Sequence, residues 1–465
     1  MFRGRRSRQL FAHELRGLLV LAGPLVVNQL GQVGMHTADT IMVGPLGAEP
    51  LAAVGLGSAL HHFGVLIMTG ALMGMAPLVS QAFGAGDIAE CRRVFVQGCW
   101  VALLLSAPVM LGLLFGEDLS LLLGQEQGVS VITGAYLQAL FWGIMPALVF
   151  IAARQYLEGM GHVTAPMVVT FIGLGINIVA NFILIYGVDG LVPAFGAVGA
   201  GWATTIVRWS MLLALLVFLL THRALPSLRV SLRPRAAEVR RIIAVGLPVG
   251  VQFGMEVGLF SFAAIMMGWL GAVELAAHQV TINIAATTFM VALGASIAGS
   301  IRVGQHIGGR RTRAARRAVV ATYLLALGFM LACALLFVSA PRFLIGLYTP
   351  HAEIIELGGT LLLVAAAFQI FDGAQVAGVS VLRGAGDTRG PMVLAAIGYW
   401  AIGLTSCWYL GFRTPLGAVG IWIGLCIGLA AVALMLVLRA RAVLWRRPLR
   451  RLAEAGPIPV MEESR

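Results

Sequence analysis

The sequence contains no lysine, and charge of either sign is scarce: 11% of its 465 residues are charged. A soluble domain carries about 25%, so a soluble globular fold is excluded. Cysteine is rare too. Cys91, Cys99, Cys333, Cys407 and Cys426 are scattered, mostly within apolar runs, and no C-x-x-C pair occurs. That excludes a zinc site and a disulfide framework alike. G-x-S-x-G, H-E-x-x-H and a phosphate-cradling P-loop are missing, so ATP-driven primary pumping has no support. The period-two alternation of a membrane β-barrel is also missing.

What remains is apolar sequence, 59% of the chain, in continuous runs rich in Leu, Ala, Gly, Val and Met. One apolar run of about 18 residues or more suggests a membrane span, and such runs recur along the whole length. The fold expected is an all-α polytopic membrane protein. Twelve spans fit, at about 16–45, 50–83, 92–116, 128–158, 163–187, 196–220, 240–269, 275–306, 315–338, 353–383, 389–411 and 417–440. Arg5 and Arg6 precede the first run, but no A-x-A cleavage site follows. The run reads as an uncleaved first span.

Arginine sorts the loops. One side holds Arg3 to Arg8, Arg92 and Arg93, the Arg223–Arg241 linker, Arg310 to Arg317, Arg383 and Arg389, and Arg439 to Arg451. The other holds only Arg342 and Arg413, with most of the loop acids. The net charge of +12 is therefore a positive-inside signal, not a nucleic-acid footprint, and both termini are expected in the cytoplasm.

The chain repeats itself. A shift of 224 carries Pro24 to Pro248, Gly44-x-Leu46-Gly47 to Gly268-x-Leu270-Gly271, Gln81 to Gln305 and Gly84 to Gly308. A shift of 225 carries Gly159-x-Gly161 to Gly384-x-Gly386. The expected organisation is a cytoplasmic N-terminus (1–15), a first lobe of six spans (16–220) and an Arg-rich linker (221–239). A second lobe of six spans (240–440) and a cytoplasmic tail (441–465) follow. Six is even, so the lobes are parallel repeats about an axis normal to the membrane, with a site expected between them. Pro24 and Pro248 bend the equivalent first and seventh spans.

Three acids lie well inside spans: Asp39, Glu256 and Asp372. Their repeat partners are Ala263, Gln32 and Ala147, none of them acidic. The repeat builds the scaffold, and these acids depart from it. A carboxylate at membrane depth is expensive, which makes function its default reading. Without a counter-cation it holds a proton or a hard cation such as Na⁺. The bland alternative is an ion pair, with Arg154, Arg208, Arg302 or His36 as partner. Asn177 and Asn181 share one face of the fifth span and offer donors and acceptors, or serve as interhelical glue. His61, His62 and His278 sit near expected water boundaries and receive no role. Gly84-x-Gly86-Asp87 and Gly384-x-Gly386-Asp387 echo part of the intramembrane aspartyl protease signature. Both fall at span ends beside Arg, where a glycine helix cap is the plainer reading.

Asp39-Thr40-Ile41-Met42, Met255-Glu256-Val257, Ala276-Ala277-His278-Gln279-Val280, Ser300-Ile301-Arg302-Val303-Gly304 and Phe368-Gln369-Ile370-Phe371-Asp372 resemble the multidrug and toxic compound extrusion (MATE) family, NorM-like branch. The resemblance spans about residues 12–440. It implies a bacterial inner-membrane antiporter, not an enzyme, that exports cationic amphipathic drugs or dyes in exchange for Na⁺ or H⁺, as a monomer and without a bound cofactor. It implies cation coupling, including a Na⁺ site, at Glu256 and Asp372, and proton coupling at Asp39. Asn177, Asn181, Phe368 and Gln279 fall at polar-cavity positions. Where the family pattern has Tyr four residues before the tenth-span Asp, this chain has Phe368, which removes one oxygen ligand. Rival readings are a lipid-linked precursor flippase, which would want an Arg-lined cavity, and the aspartyl protease.

The arginine pattern fixes an expected topology. In intact spheroplasts, Ser227→Cys should be protected from an impermeant thiol reagent and Gln125→Cys should react. Reaction at position 227 would reverse the assignment of sides.

Overall fold

The structure is a computed structural model that describes residues 5–222 and 231–446. Arg3, the linker residues 223–230 with Ser227, and the tail beyond 446 lie outside the described residues. Twelve helices are long and apolar enough to cross a membrane: α1 (Arg8–Leu46), α2 (Ala48–Gly84), α3 (Ile88–Leu114), α4 (Gln127–Gly159), α5 (Thr164–Tyr186), α6 (Gly196–Thr221), α7 (Ala236–Leu270), α8 (Ala272–Gly308), α9 (Thr312–Ser339), α10 (Ala352–Gly384), α11 (Arg389–Phe412) and α12 (Gly417–Trp445). Helices are the expected solution, because each satisfies its backbone groups internally where no water is present. Several run beyond the apolar stretch that announces them; α1 begins near residue 8, not 16.

Repeat-related turns share a conformation. Gly161 after α4 and Gly386 after α10 have φ of 89° and 87°. That left-handed geometry favours glycine and explains the second Gly of both G-x-G motifs. Pro24 and Pro248 lie inside continuous helices, removing the hydrogen bonds to Val20 and Ala244.

Each lobe has its own apolar core. Leu137, Leu148, Tyr156 and Leu215 belong to the first, and Phe337, Leu361, Trp422 and Leu425 to the second. The lobes meet crosswise, α1 against α8 and α2 against α7. A narrow seam of Leu18, Ala22 and Leu25 against Ala295, Ala298 and Ile301 joins them. Glycine permits the approach. A Cβ at Gly70 or Gly74 would strike the backbone of Gly250 or Gly246, the small-residue packing that membrane helices use. The pseudo-symmetry is atomic in places. A Cβ at Gly84 would meet the Gln305 carbonyl, and one at Gly308 the Gln81 carbonyl. Gln81 Nε2 donates to the Gly384 carbonyl at 2.9 Å, and Gln305 Nε2 to the equivalent Gly159 carbonyl at 3.2 Å.

These contacts gather at the Arg-rich end of the molecule, where ion pairs add to them. Arg302 grips Glu14 through Nε and Nη2, both at 2.8 Å, and His306 Nε2 lies 3.0 Å from the same carboxylate. Arg302 is therefore an inter-lobe partner. Arg241 meets Glu90 at 2.6 Å. No inter-lobe hydrogen bond, ion pair or glycine contact was found among the described residues toward the other end, so the lobes are clamped at one end only.

Filling the glycine seam should separate the lobes. Gly246→Val is expected to cost about 1–3 kcal/mol by overpacking and to lower the melting temperature in detergent. Gly23→Ala, with open space around its Cβ, should not; equal effects would dispose of the close-packing account.

Candidate functional site

The acids of the second lobe sit at the middle of long helices. Glu256 lies on α7 and Asp372 on α10, 8% and 5% exposed. Gln375 Nε2, one turn beyond Asp372, reaches Glu256 Oε2 at 3.5 Å. Near them are neutral polar atoms without hydrogen-bond partners, Gln375 Oε1, Gln369 Oε1 and the Tyr399 hydroxyl, with a fourth, Trp422 Nε1, on the ring that packs against Phe368. Gln369 Nε2 donates to Thr288 Oγ1 at 2.6 Å, leaving its oxygen free. Buried polar atoms without partners carry a penalty of about 1–3 kcal/mol each. Here they surround two carboxylates, so the oxygens suit a hard cation or a proton. Tyr399 comes from a π-helical stretch, Ala396–Leu404, within α11, a distortion frequent at functional sites. It stands within electrostatic reach of Glu256 and Asp372.

Phe368 is one turn before Asp372. Its ring lies 6.0 Å from those of Phe260 and Trp422, so the position is apolar. Gln279 is exposed on α8. The neighbouring His278 is buried at 1% exposure, its ring 5.7 Å from that of Trp422.

In the first lobe Asp39 is held by three donors. Asn177 and Asn181 donate to Oδ1 at 2.9 and 2.6 Å, and Thr204 to Oδ2 at 3.5 Å. The i, i+4 spacing of the asparagines delivers both amides to one carboxylate oxygen. A cavity of about 150 Å³ opens beside them, lined in part by Gln32, His36, Phe150, Arg154 and Arg208. Arg208 forms no ion pair with Asp39; its Nη2 reaches His61 Nε2 at 3.1 Å. A guanidinium only donates, so His61 Nε2 accepts. His61 is 5% exposed. His62 Nδ1 lies 2.9 Å from the Ser58 carbonyl and its Nε2 3.2 Å from His36 Nε2, so with both neutral His36 donates to His62. Arg154 is matched by Glu158, 3.6 Å away on the same helix.

The G-x-G-D acids are structural. Asp87 caps α3, accepting from the Glu90 amide at 2.9 Å. Asp387 accepts from the Gly390 amide at 3.1 Å and pairs with Arg439 at 2.6 Å. They stand at helix starts and are not an opposed pair sharing a proton.

Residues 24–183 and 248–409 each match the MatE family model, and the two matches begin one repeat apart. The chain is 38% identical to a Bradyrhizobium diazoefficiens protein over 437 residues, 92% of this chain and 94% of that one. It is 38% identical to a Rhodopseudomonas palustris protein, covering 92% and 91%. Both are named "Probable multidrug resistance protein NorM". Among solved structures, the eukaryotic MATE transporter AtDTX14 superposes with a TM-score of 0.85 at 19% identity, over 96% of this chain and 99% of that one. An outward-facing multidrug resistance MATE transporter superposes at 0.84 and 22%, over 94% and 97%.

Capping and catalysis make opposite predictions at the G-x-G-D motifs. Asp87→Ala and Asp387→Ala should each cost about 1 kcal/mol of stability, the usual worth of a cap, while drug efflux from cells persists. Complete loss of efflux at normal expression would show that these acids do more than cap.

Proposed function

The chain belongs to the MatE family, and on that premise we propose that it exports cationic amphipathic compounds by secondary active antiport. The observation that carries this reading is the buried pair Glu256 and Asp372, set among orphaned neutral oxygens with no ion-pair partner among the described residues. Such a site is incomplete without a cation.

In this mechanism an organic cation and a coupling ion compete for the same negative charge. The membrane is the bacterial inner membrane, and the clamped Arg-rich end is the cytoplasmic one. The structure then corresponds to a state open to the outside. Na⁺ or H⁺ entering from that side neutralises the carboxylates and displaces the drug. The lobes rock, breaking Glu14–Arg302 and Glu90–Arg241, and the ion leaves inside. Coupling requires that each cation prefer one state over the other, and neutralised carboxylates supply that difference.

Asp39 is a second site of different character. It is anchored by neutral amides and flanked by Arg208, which disfavours a second positive ion. A proton is the ligand it suits. Phe368 removes one candidate oxygen from the second-lobe shell, so Na⁺ is held there by the carboxylates and the neighbouring amide and hydroxyl oxygens.

The experiment is efflux from proteoliposomes under one gradient at a time. A pH gradient alone should drive export, and Na⁺ should stimulate it further. Glu256→Gln and Asp372→Asn should each abolish the stimulation, and Phe368→Tyr should raise apparent Na⁺ affinity. Strict Na⁺ dependence would sink the proton part; stimulation that survives in Glu256→Gln would sink the sodium part.

A further inference from the structure

Arg383, near the end of α10, reads from the sequence as a loop arginine. The structure buries it at 5% exposure. Its guanidinium lies over the Phe253 ring, 5.5 Å from the centroid. Phe253 is one helical turn from Glu256 on α7, so the cation sits just below that carboxylate. The two interact electrostatically without closing an ion pair. Arg383 Nε and Nη2 have no hydrogen-bond partner. A buried, unpartnered guanidinium cannot shed its charge, and desolvating it is costly unless something repays the loss. Beside the Phe253 ring, the compensating charge it interacts with is that of Glu256.

The charges of this site then sum simply. Glu256 and Asp372 contribute two negatives and Arg383 one positive. The other polar groups of the shell, Gln369, Gln375, Tyr399 and Trp422, are neutral, and His278 is buried with no acid beside it. The empty site carries one net negative charge. We propose that Arg383 is the resident counter-charge of the second-lobe site and limits it to one monovalent cation per cycle. That cation is one Na⁺, one H⁺ or one singly charged organic ion, each excluding the others. This rests on the ion-coupled reading above and adds its stoichiometry. A second cation would leave the buried site net positive. An empty site would leave it net negative. Both are penalised in a medium of low dielectric constant, which makes exchange obligatory. Arg383 also borders the inter-lobe seam: the next carbonyl, of Gly384, accepts from Gln81 of the first lobe.

The test is equilibrium binding of ²²Na⁺ to the purified full-length protein in detergent, counting ions per chain at saturation. Wild type and Arg383→Lys should bind one. Arg383→Gln should bind a second, or bind the first about tenfold tighter, since a like charge has been removed. Asp372→Asn, with net charge zero, should bind none. The double variant Asp372→Asn/Arg383→Gln should regain one. Gain of binding is an outcome that mere structural damage does not produce. One ion at unchanged affinity in Arg383→Gln, or no recovery in the double variant, overturns the inference and leaves the ion-coupled reading standing. Should Arg383→Gln not fold, the comparison of Asp372→Asn with the double variant decides alone. Wild type that binds no Na⁺, or binding kept in Glu256→Gln, overturns the inference together with the sodium part of that reading.

Discussion

Everything in this molecule answers to one constraint: a charge at membrane depth must be balanced by another group within a few ångströms, because no water is there to do it. The scaffold meets the constraint in ordinary ways. Arg154 has Glu158 one turn away, and Glu14 has both Arg302 and His306. Glu256 and Asp372 are different, for their nearest protein cation falls one charge short. On the proposed reading, a mobile cation fills that deficit. The site is therefore defined by what the protein leaves unbalanced.

The repeat explains how the deficit arose without disturbing the fold. Packing atoms obey the pseudo-symmetry, as the reciprocal contacts Gln81–Gly384 and Gln305–Gly159 show. So do the paired left-handed glycines Gly161 and Gly386. The acids do not. Gln32, Ala147 and Ala263 stand where the opposite lobe has Glu256, Asp372 and Asp39. Each acid replaces a residue that the same local architecture accommodates as a neutral one. Substituting an unpaired buried charge by its amide should therefore leave the fold standing.

Twelve spans, the two halves and the three deep acids were legible in the sequence, because each rests on a local signal: a long apolar run, a fixed shift, a carboxylate inside a run. The clamp between the lobes was not. Glu14 and Arg302 are far apart in the chain, and each taken alone is an ordinary charge near a span end. Arg383 was misread for a related reason. It ends an apolar run and so resembles a loop arginine, yet the seam around Gly384 closes over it and turns it inward. Tyr399 and Gln375 carry no sequence signal of their own, since a single polar residue in an apolar span is more often packing. Only the crossing of α7, α10 and α11 gathers them.

The two lobes thus hold carboxylates under opposite conditions. Asp39 sits among three hydrogen-bond donors with Arg208 nearby. Glu256 and Asp372 have one weak donor between them, from Gln375, and oppose each other. A cation entering from an open end meets in the first lobe an acid already solvated by protein, and in the second an acid pair that is not. The larger gain in electrostatic energy lies in the second lobe. The cargo and the coupling ion should contend there, while the first lobe responds to the smallest cation, the proton. If the same cleft serves both, the asymmetry of the acids, laid over a symmetric scaffold, is what lets one rocking motion discriminate between them.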